Sequence, residues 1–506
     1  MDRRRPEPRG DSADAARASL SFADPRARIA AALAAAGLAL ACAAPSSYSV
    51  EGGIEQEPLE RLRIITAAAR SQEPGEPVET RVVSKEEASN VLQEAARNEI
   101  GAEAQAAVDE ALVALGLWPQ QSRASEALAT FAGDQVLGFY VPRERALYVI
   151  DDAETPTEVR ILSAFAGRDL LGELVLSHEL AHALQHRAEP ALFDRAAFFH
   201  AHGDAAAATA AAAEGDAIRA SFMALGMQRL PDGDEYVEST VAEIANDDSL
   251  ADAPALLRLE IILAYGRGYA LALREGPPIL SDPPISTEQA THDERRREAF
   301  TALDFSGIAA PEGCAIAHEN AVGELGIRAL FEDHGEGVAE AVWEGWDGDR
   351  YRTLRCDGVV GFVWITLWDD EDDAAEFESA YAAIAPSVAR RAGLADVPRV
   401  RREGREVRLS TASLESDARR VSIRARRGRV ASIDELFIFY GEPTRPSSGL
   451  SPYRERERHE RPAREGEIDP HEEADHPEPG LRPLREDQAA ENDVHHARER
   501  DEATVR

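Results

Sequence analysis

LGELVLSHELAHALQHR, residues 171–187, places His178, Glu179 and His182 in an H-E-x-x-H pattern. Leu171, Leu174, Val175, Ala181 and Leu184 flank it, which predicts a largely buried helix. Side chains four apart on a helix share a face, with about 5–6 Å between Cβ atoms. Two imidazoles at that spacing can hold one zinc ion. Glu179 follows the first histidine, in the position of a general base for an attacking water. Two histidines and a carboxylate on a buried helix need partners, and a metal supplies them. The pattern points to a zinc-dependent hydrolase, most often a peptidase. The same five-residue pattern also arises by chance on helices that bind no metal, so the rest of the chain has to supply the remainder of a site.

A catalytic zinc takes three protein ligands and keeps one position open. Glu214, in AAAAEGDAIRA (residues 210–220), is the candidate third ligand. The run Ala205 to Ala213 has high helix propensity and predicts a second helix, entered by a turn near Gly203. A lone acid on an alanine-lined, close-packing helix is more than a solvated surface charge, and Gly215 permits close approach of another helix. Asp216 lies about 200° around the helix from Glu214, so it is expected to support the ligands rather than reach the metal. His202 is a further fallback ligand. For the donor that stabilises the developing oxyanion, His292 is the first candidate and Tyr265 and Tyr269 follow. Each tyrosine sits on an apolar helix, where a plain core role is the alternative.

At 506 residues the chain has room for two or three domains, and its net charge of -37 argues against nucleic acid and anionic membrane surfaces as partners. Residues 29–43, IAAALAAAGLALACA, form an apolar run after Arg26 and Arg28. It is short for a membrane span and fits the core of a secretory signal. Two readings of its end stay open. Leu38 to Cys42 resembles a lipoprotein box, which would attach the chain to a membrane through lipidated Cys42. Ala39-Leu40-Ala41 also suits an ordinary signal peptidase, which would release a periplasmic or secreted form. Beyond Cys42 only Cys314 and Cys356 remain. An oxidising compartment would allow them to pair, but spacing does not choose between a bond and two buried thiols.

The expected organisation is a signal over residues 1–44, a polar linker over 45–80, a catalytic region over 81–300, a smaller α+β module over 301–444 and a charged, disordered tail over 445–506. Helical spacing covers 85–117. Gln135 to Tyr140 and Ala146 to Ile150 read as a hairpin, whose edge could take an extended substrate. Leu256 to Leu273 reads as an apolar helix, and Val359 to Leu367 and Leu436 to Tyr440 as strands.

The order of blocks resembles bacterial exported zincins. Gly138-Phe139-Tyr140 comes first, then HELAHALQ from His178, EGDA from Glu214, a helix with Tyr265 and Gly268, PPISTEQATH over 283–292, GWDGDRY over 345–351 and WDDEDDAAEF over 368–377. The resemblance covers roughly residues 80–440. It implies an α+β fold with a zincin-like core, Zn2+ held by His178, His182 and Glu214, Glu179 as base, and a peptide or protein substrate. Val141 stands where that family often has an acid, and Asp293 where proline usually follows the histidine; these departures bear on substrate contacts more than on zinc. The expected function is that of an exported metallopeptidase. The rival is an envelope protein that keeps the same core only as a binding module. Oligomeric state is not legible.

Overall fold

From the amino end, helix α1 (Gln56–Ala69) leads to strand β1 (Glu79–Val83) and to helices α2 (Lys85–Ile100) and α3 (Ala102–Ala114). The helical region expected over 85–117 breaks at Gly101, whose φ of 82° lies in the left-handed region that glycine tolerates. β2 (Gly138–Val141) and β3 (Ala146–Ile150) form the expected hairpin. β3 pairs in parallel with β1 and antiparallel with β2, which leaves β2 at the sheet edge.

This is a computed structural model, and it describes residues 49–50, 53–54, 56–125, 127, 137–150, 163, 166–247, 250, 253–335 and 337–442. The signal segment 1–44 with Cys42, the start of the linker, residues 135–136 of the first hairpin strand and the tail 445–506 lie outside the described residues.

α4 (Leu170–Ala188) carries the H-E-x-x-H pattern. Asp169 caps it by accepting from the Gly172 N–H at 3.0 Å. Leu176 and Leu180 bury against Leu59 and Leu62 of α1 and Leu147 of β3. α5 (Gly203–Ala224) follows two short helical turns and buries Ala205, Ala208, Ala211, Ala212, Ala217 and Ala220. After α6 (Gly233–Asn246), α7 (Ala255–Ile261) runs through a π-helical turn (Ile262–Arg267) into α8 (Gly268–Glu275). Small residues let α5 and α8 touch backbone to backbone. A Cβ on Gly215 would stand 1.9 Å from Gly268 O, and one on Gly268 would stand 2.1 Å from Ala211 O.

The remainder comprises α9 (Thr287–Thr291), β4 (Phe300–Asp304), β5 (Cys314–Asn320), α10 (Gly323–His334), β6 (Trp346–Cys356), β7 (Val359–Trp368), α11 (Glu371–Ala392), β8 (Arg399–Glu403), β9 (Glu406–Ser410), α12 (Glu415–Arg424), β10 (Arg426–Val430) and α13 (Ile433–Tyr440). Five strands form an antiparallel sheet in the order β8-β9-β7-β6-β5, while β10 pairs with β4. Cys314 and Cys356 stand directly opposite on β5 and β6 and are joined by a disulfide. Leu436 to Tyr440 is helical, not a strand: Ser432 caps α13, and Ile433, Leu436 and Phe437 bury one helical face. The fold is thus mixed α+β. One buried apolar cluster joins Ala111 of α3 and Ala208 of α5 to Phe331, Trp364 and Phe377, so the core is continuous across residue 300. Among the described residues no helix is long and apolar enough to cross a membrane.

Candidate metal centre

α4 and α5 pack side by side, and His178, His182 and Glu214 meet between them. His178 Nε2 stands 3.1 Å from Glu214 Oε2 and 3.1 Å from His182 Nε2. The third edge, His182 Nε2 to Glu214 Oε2, is 3.6 Å. Donors held by one zinc at about 2.0–2.1 Å with tetrahedral angles are about 3.3 Å apart. The observed edges straddle that spacing, so the three side chains fit a zinc ion and leave its fourth position to water or substrate. Among the described residues no other trio of His, Cys, Asp or Glu donors comes together in this way.

The surroundings fix how these ligands face. Gln185 Nε2 donates to Ala213 O at 2.8 Å and to Asp216 Oδ2 at 3.1 Å. Its carbonyl must then accept the 2.9 Å bond from His182 Nδ1–H. That sets the tautomer and leaves the Nε2 lone pair of His182 toward the centre. Asp216 is fully buried and pairs with Arg70 and Arg219, which ties α5 to the end of α1. Burial pulls the His182 imidazole down, but the charge of Glu214, its hydrogen bond, Glu179 and Gln185 carry it up to about 9. Burial pushes Glu214 up, yet His182 and His178 together hold it well below the usual carboxylate range.

Glu179 lies under β2, within electrostatic reach of His178, His182 and Glu214. Burial raises its carboxyl above the usual value against the pull of His178 and His182, and the Tyr140 N–H faces it. A Cβ on Gly138 would stand 2.9 Å from Val175 Cγ1 and 3.6 Å from Glu179 Cγ, so glycine lets the strand lie on the helix. The Ile150 N–H donates to Leu137 O, and alternation along an antiparallel pair then turns the backbone polar groups of Gly138 and Tyr140 outward. Among the described residues β2 is therefore the terminal strand, and its outward side runs past Glu179.

Tyr265 sits on the π-helical turn, one turn from the Gly215–Gly268 contact. Its side chain is exposed, and the charges of Glu214 and Glu179, with partial desolvation, raise its phenol well above the usual value. π-Helical turns recur at functional sites. His292 is not brought to this group: its Nε2 lies 2.8 Å from Glu324 Oε1, and the charges that raise it are those of Glu324, Glu288 and Glu294. The physical reason is that α9 folds back onto α10 and the start of α5, where Thr287 N–H and Oγ1 donate to Asp204. Tyr269 is core, its hydroxyl donating to Pro231 O at 2.9 Å. His202 is also away from the centre, with its ring 3.9 Å from that of Tyr440.

Two contributors escaped the sequence reading. Gln185 stands three residues after His182 on the same helical face, a signal that was available. Asn320 was not readable. It accepts the Gly203 N–H at 2.6 Å and donates to His200 O at 2.9 Å, so a residue of β5 caps the helix that bears Glu214.

Residues 315–423 match a family model described as a domain of unknown function (DUF8575). The match begins in β5 and ends in α12. His178, Glu179, His182 and Glu214 all precede it, while Asn320 lies inside it. No curated protein and no solved structure matches the chain.

Proposed function

We propose that this chain is a zinc metallopeptidase with a zincin-like core. The observation that carries the reading is the triangle of His178, His182 and Glu214 beside a buried Glu179 and the edge strand β2. Zinc, when bound, lowers the pKa of water and polarises the scissile carbonyl. The outward backbone groups of Gly138 and the Tyr140 carbonyl hold an extended peptide by β-strand addition, while the Tyr140 N–H stays on Glu179. Glu179 takes the proton of the attacking water and hands it to the leaving amine, and its burial keeps its basicity high. Tyr265, rather than His292, donates to the developing oxyanion. The Cys314–Cys356 bond supports an exported protein, because such bonds persist in oxidising compartments.

The test separates base from ligand. Glu179→Gln should keep zinc, counted by elemental analysis, while peptide turnover falls about 10²–10⁴-fold. Glu214→Gln should lose zinc affinity, with activity partly restored by excess zinc. If Glu179→Gln changes nothing that the wild type does, the rival reading of a non-catalytic zinc-binding module takes over.

A further inference from the structure

A second cavity lies away from the metal centre, where α3, the start of α5, α7 and the β5–α10 turn meet. Its volume is about 280 Å³. Asp204 on its wall precedes Glu214 by ten residues, about 15 Å along α5. Leu112, Leu117, Trp118, Leu257 and Leu325 make most of the wall apolar. Its volume is near the lower end of small-molecule sites, roughly 300–1,000 Å³.

Several polar groups on the wall already have partners. Asp109 accepts from Ser125 N–H and Oγ, and Asp204 accepts from Thr287. Glu260, by contrast, has no hydrogen bond or ion pair among the described residues, and burial alone pushes its carboxyl up to about 7. His200, also on the wall, has a buried Nε2 without a hydrogen bond, and burial holds its imidazole below the usual value. A carboxylate on an apolar wall is costly until a counter-charge reaches it. An anion would meet Asp109, Asp204 and Glu260. A neutral alcohol would leave the charge uncompensated. An ammonium group donates to a carboxylate and to a neutral imidazole alike.

We propose that this cavity binds a small amphiphilic amine, its ammonium head on Glu260 and its apolar body along Leu112, Leu257 and Leu325. Helices α5 and α7, which line the cavity, also lead to Glu214 and Tyr265. The site does not depend on the metallopeptidase reading.

The probe is n-hexylammonium, titrated into the full chain by calorimetry and by Trp118 fluorescence, with hexan-1-ol and hexanoate as comparisons. One molecule should bind per chain at about pH 8, at least about tenfold more tightly than hexan-1-ol, with no binding of hexanoate. Affinity should fall toward about pH 6 as Glu260 takes a proton, with Asp204, which burial also pushes up to about 7, Asp109, His200 and Tyr351 the other titratable groups on the wall. Glu260→Gln should weaken binding about tenfold or more and flatten that pH dependence. Ala207→Leu, which fills the cavity, should abolish it, and Glu214→Gln should leave it unchanged. The proposal is overturned if hexan-1-ol binds as well as hexylammonium, if Glu260→Gln or Ala207→Leu binds like the wild type, if Glu214→Gln removes binding, or if no hexylammonium binds.

Discussion

Where α5 crosses α8 the closest atoms are backbone, Gly215 against Gly268 and Gly268 against Ala211. Where the five-stranded sheet meets α11 the closest groups are rings, with Trp364 and Trp368 packed on Phe377 and Trp364 on Tyr381. Large rings each bury about 150–250 Å² and stabilise a fold strongly, but they tolerate small shifts. Backbone contact buries less and fixes position more tightly. A binding site works only when its groups are held within about 0.5 Å. The alanine- and glycine-lined half therefore sets geometry, and the aromatic half supplies stability.

The largest test of this division is Gly268→Ala. The new Cβ would overlap Ala211 O, and overpacking of this kind typically costs about 1–3 kcal/mol, here at the upper end. Zinc affinity should fall with stability, because α5 must move. Denaturant titration and zinc titration on the same sample check both. Next comes Gln185→Ala, which frees His182 Nδ1. Zinc affinity should drop about 10–100-fold, and the bonds lost to Ala213 O and Asp216 should cost about 1–3 kcal/mol of stability as well. Trp364→Phe should cost stability alone. It removes the 2.8 Å bond to Asp349 Oδ2, costs about 1–2 kcal/mol, and leaves zinc affinity unaltered. Zinc loss on the scale of Gly268→Ala would break the comparison.

The smallest effect concerns His292. Its hydrogen bond to Glu324 raises the imidazole against the opposing pull of burial. The pair's contribution is fully present below the unfolded value of about 6.5 and is lost as pH rises through the higher folded value. Wild type minus His292→Gln stability should shrink by at most about 1 kcal/mol between about pH 6 and about pH 9. A zinc-dependent response to the same substitution would return His292 to the centre.

Local pattern made the H-E-x-x-H helix, the alanine helix and the hairpin legible, since each carries its own periodicity. Three letters of EGDA were legible: Glu214 reaches the histidines, Gly215 makes the crossing and Asp216 supports from behind, though its partners Arg70 and Arg219 and the packing of Ala217 near Ala181 were not. Motifs whose work is structural were harder to sort from chemistry. In PPISTEQATH, Ser286 caps α9 and Gln289 accepts from the Ile285 N–H, so the block braces the fold and its histidine follows α9. In WDDEDDAAEF, Asp370 and Asp373 form a capping box at the start of α11. The π-helical turn that presents Tyr265 leaves no mark in residue spacing, and the Asn320 cap joins positions over a hundred residues apart.

That cap changes what counts as a unit of inheritance in this chain. A boundary drawn just before residue 315 keeps every candidate zinc ligand on one side, yet it strands Gly203 N–H, whose acceptor among the described residues is Asn320. A substitution at Asn320 would be felt at Glu214, eleven residues or about 16 Å down a single rigid helix. The two halves are therefore constrained to drift together. A lineage that exchanged its sheet module for another would have to reinvent the start of α5 before it could keep Glu214 in register with the two histidines.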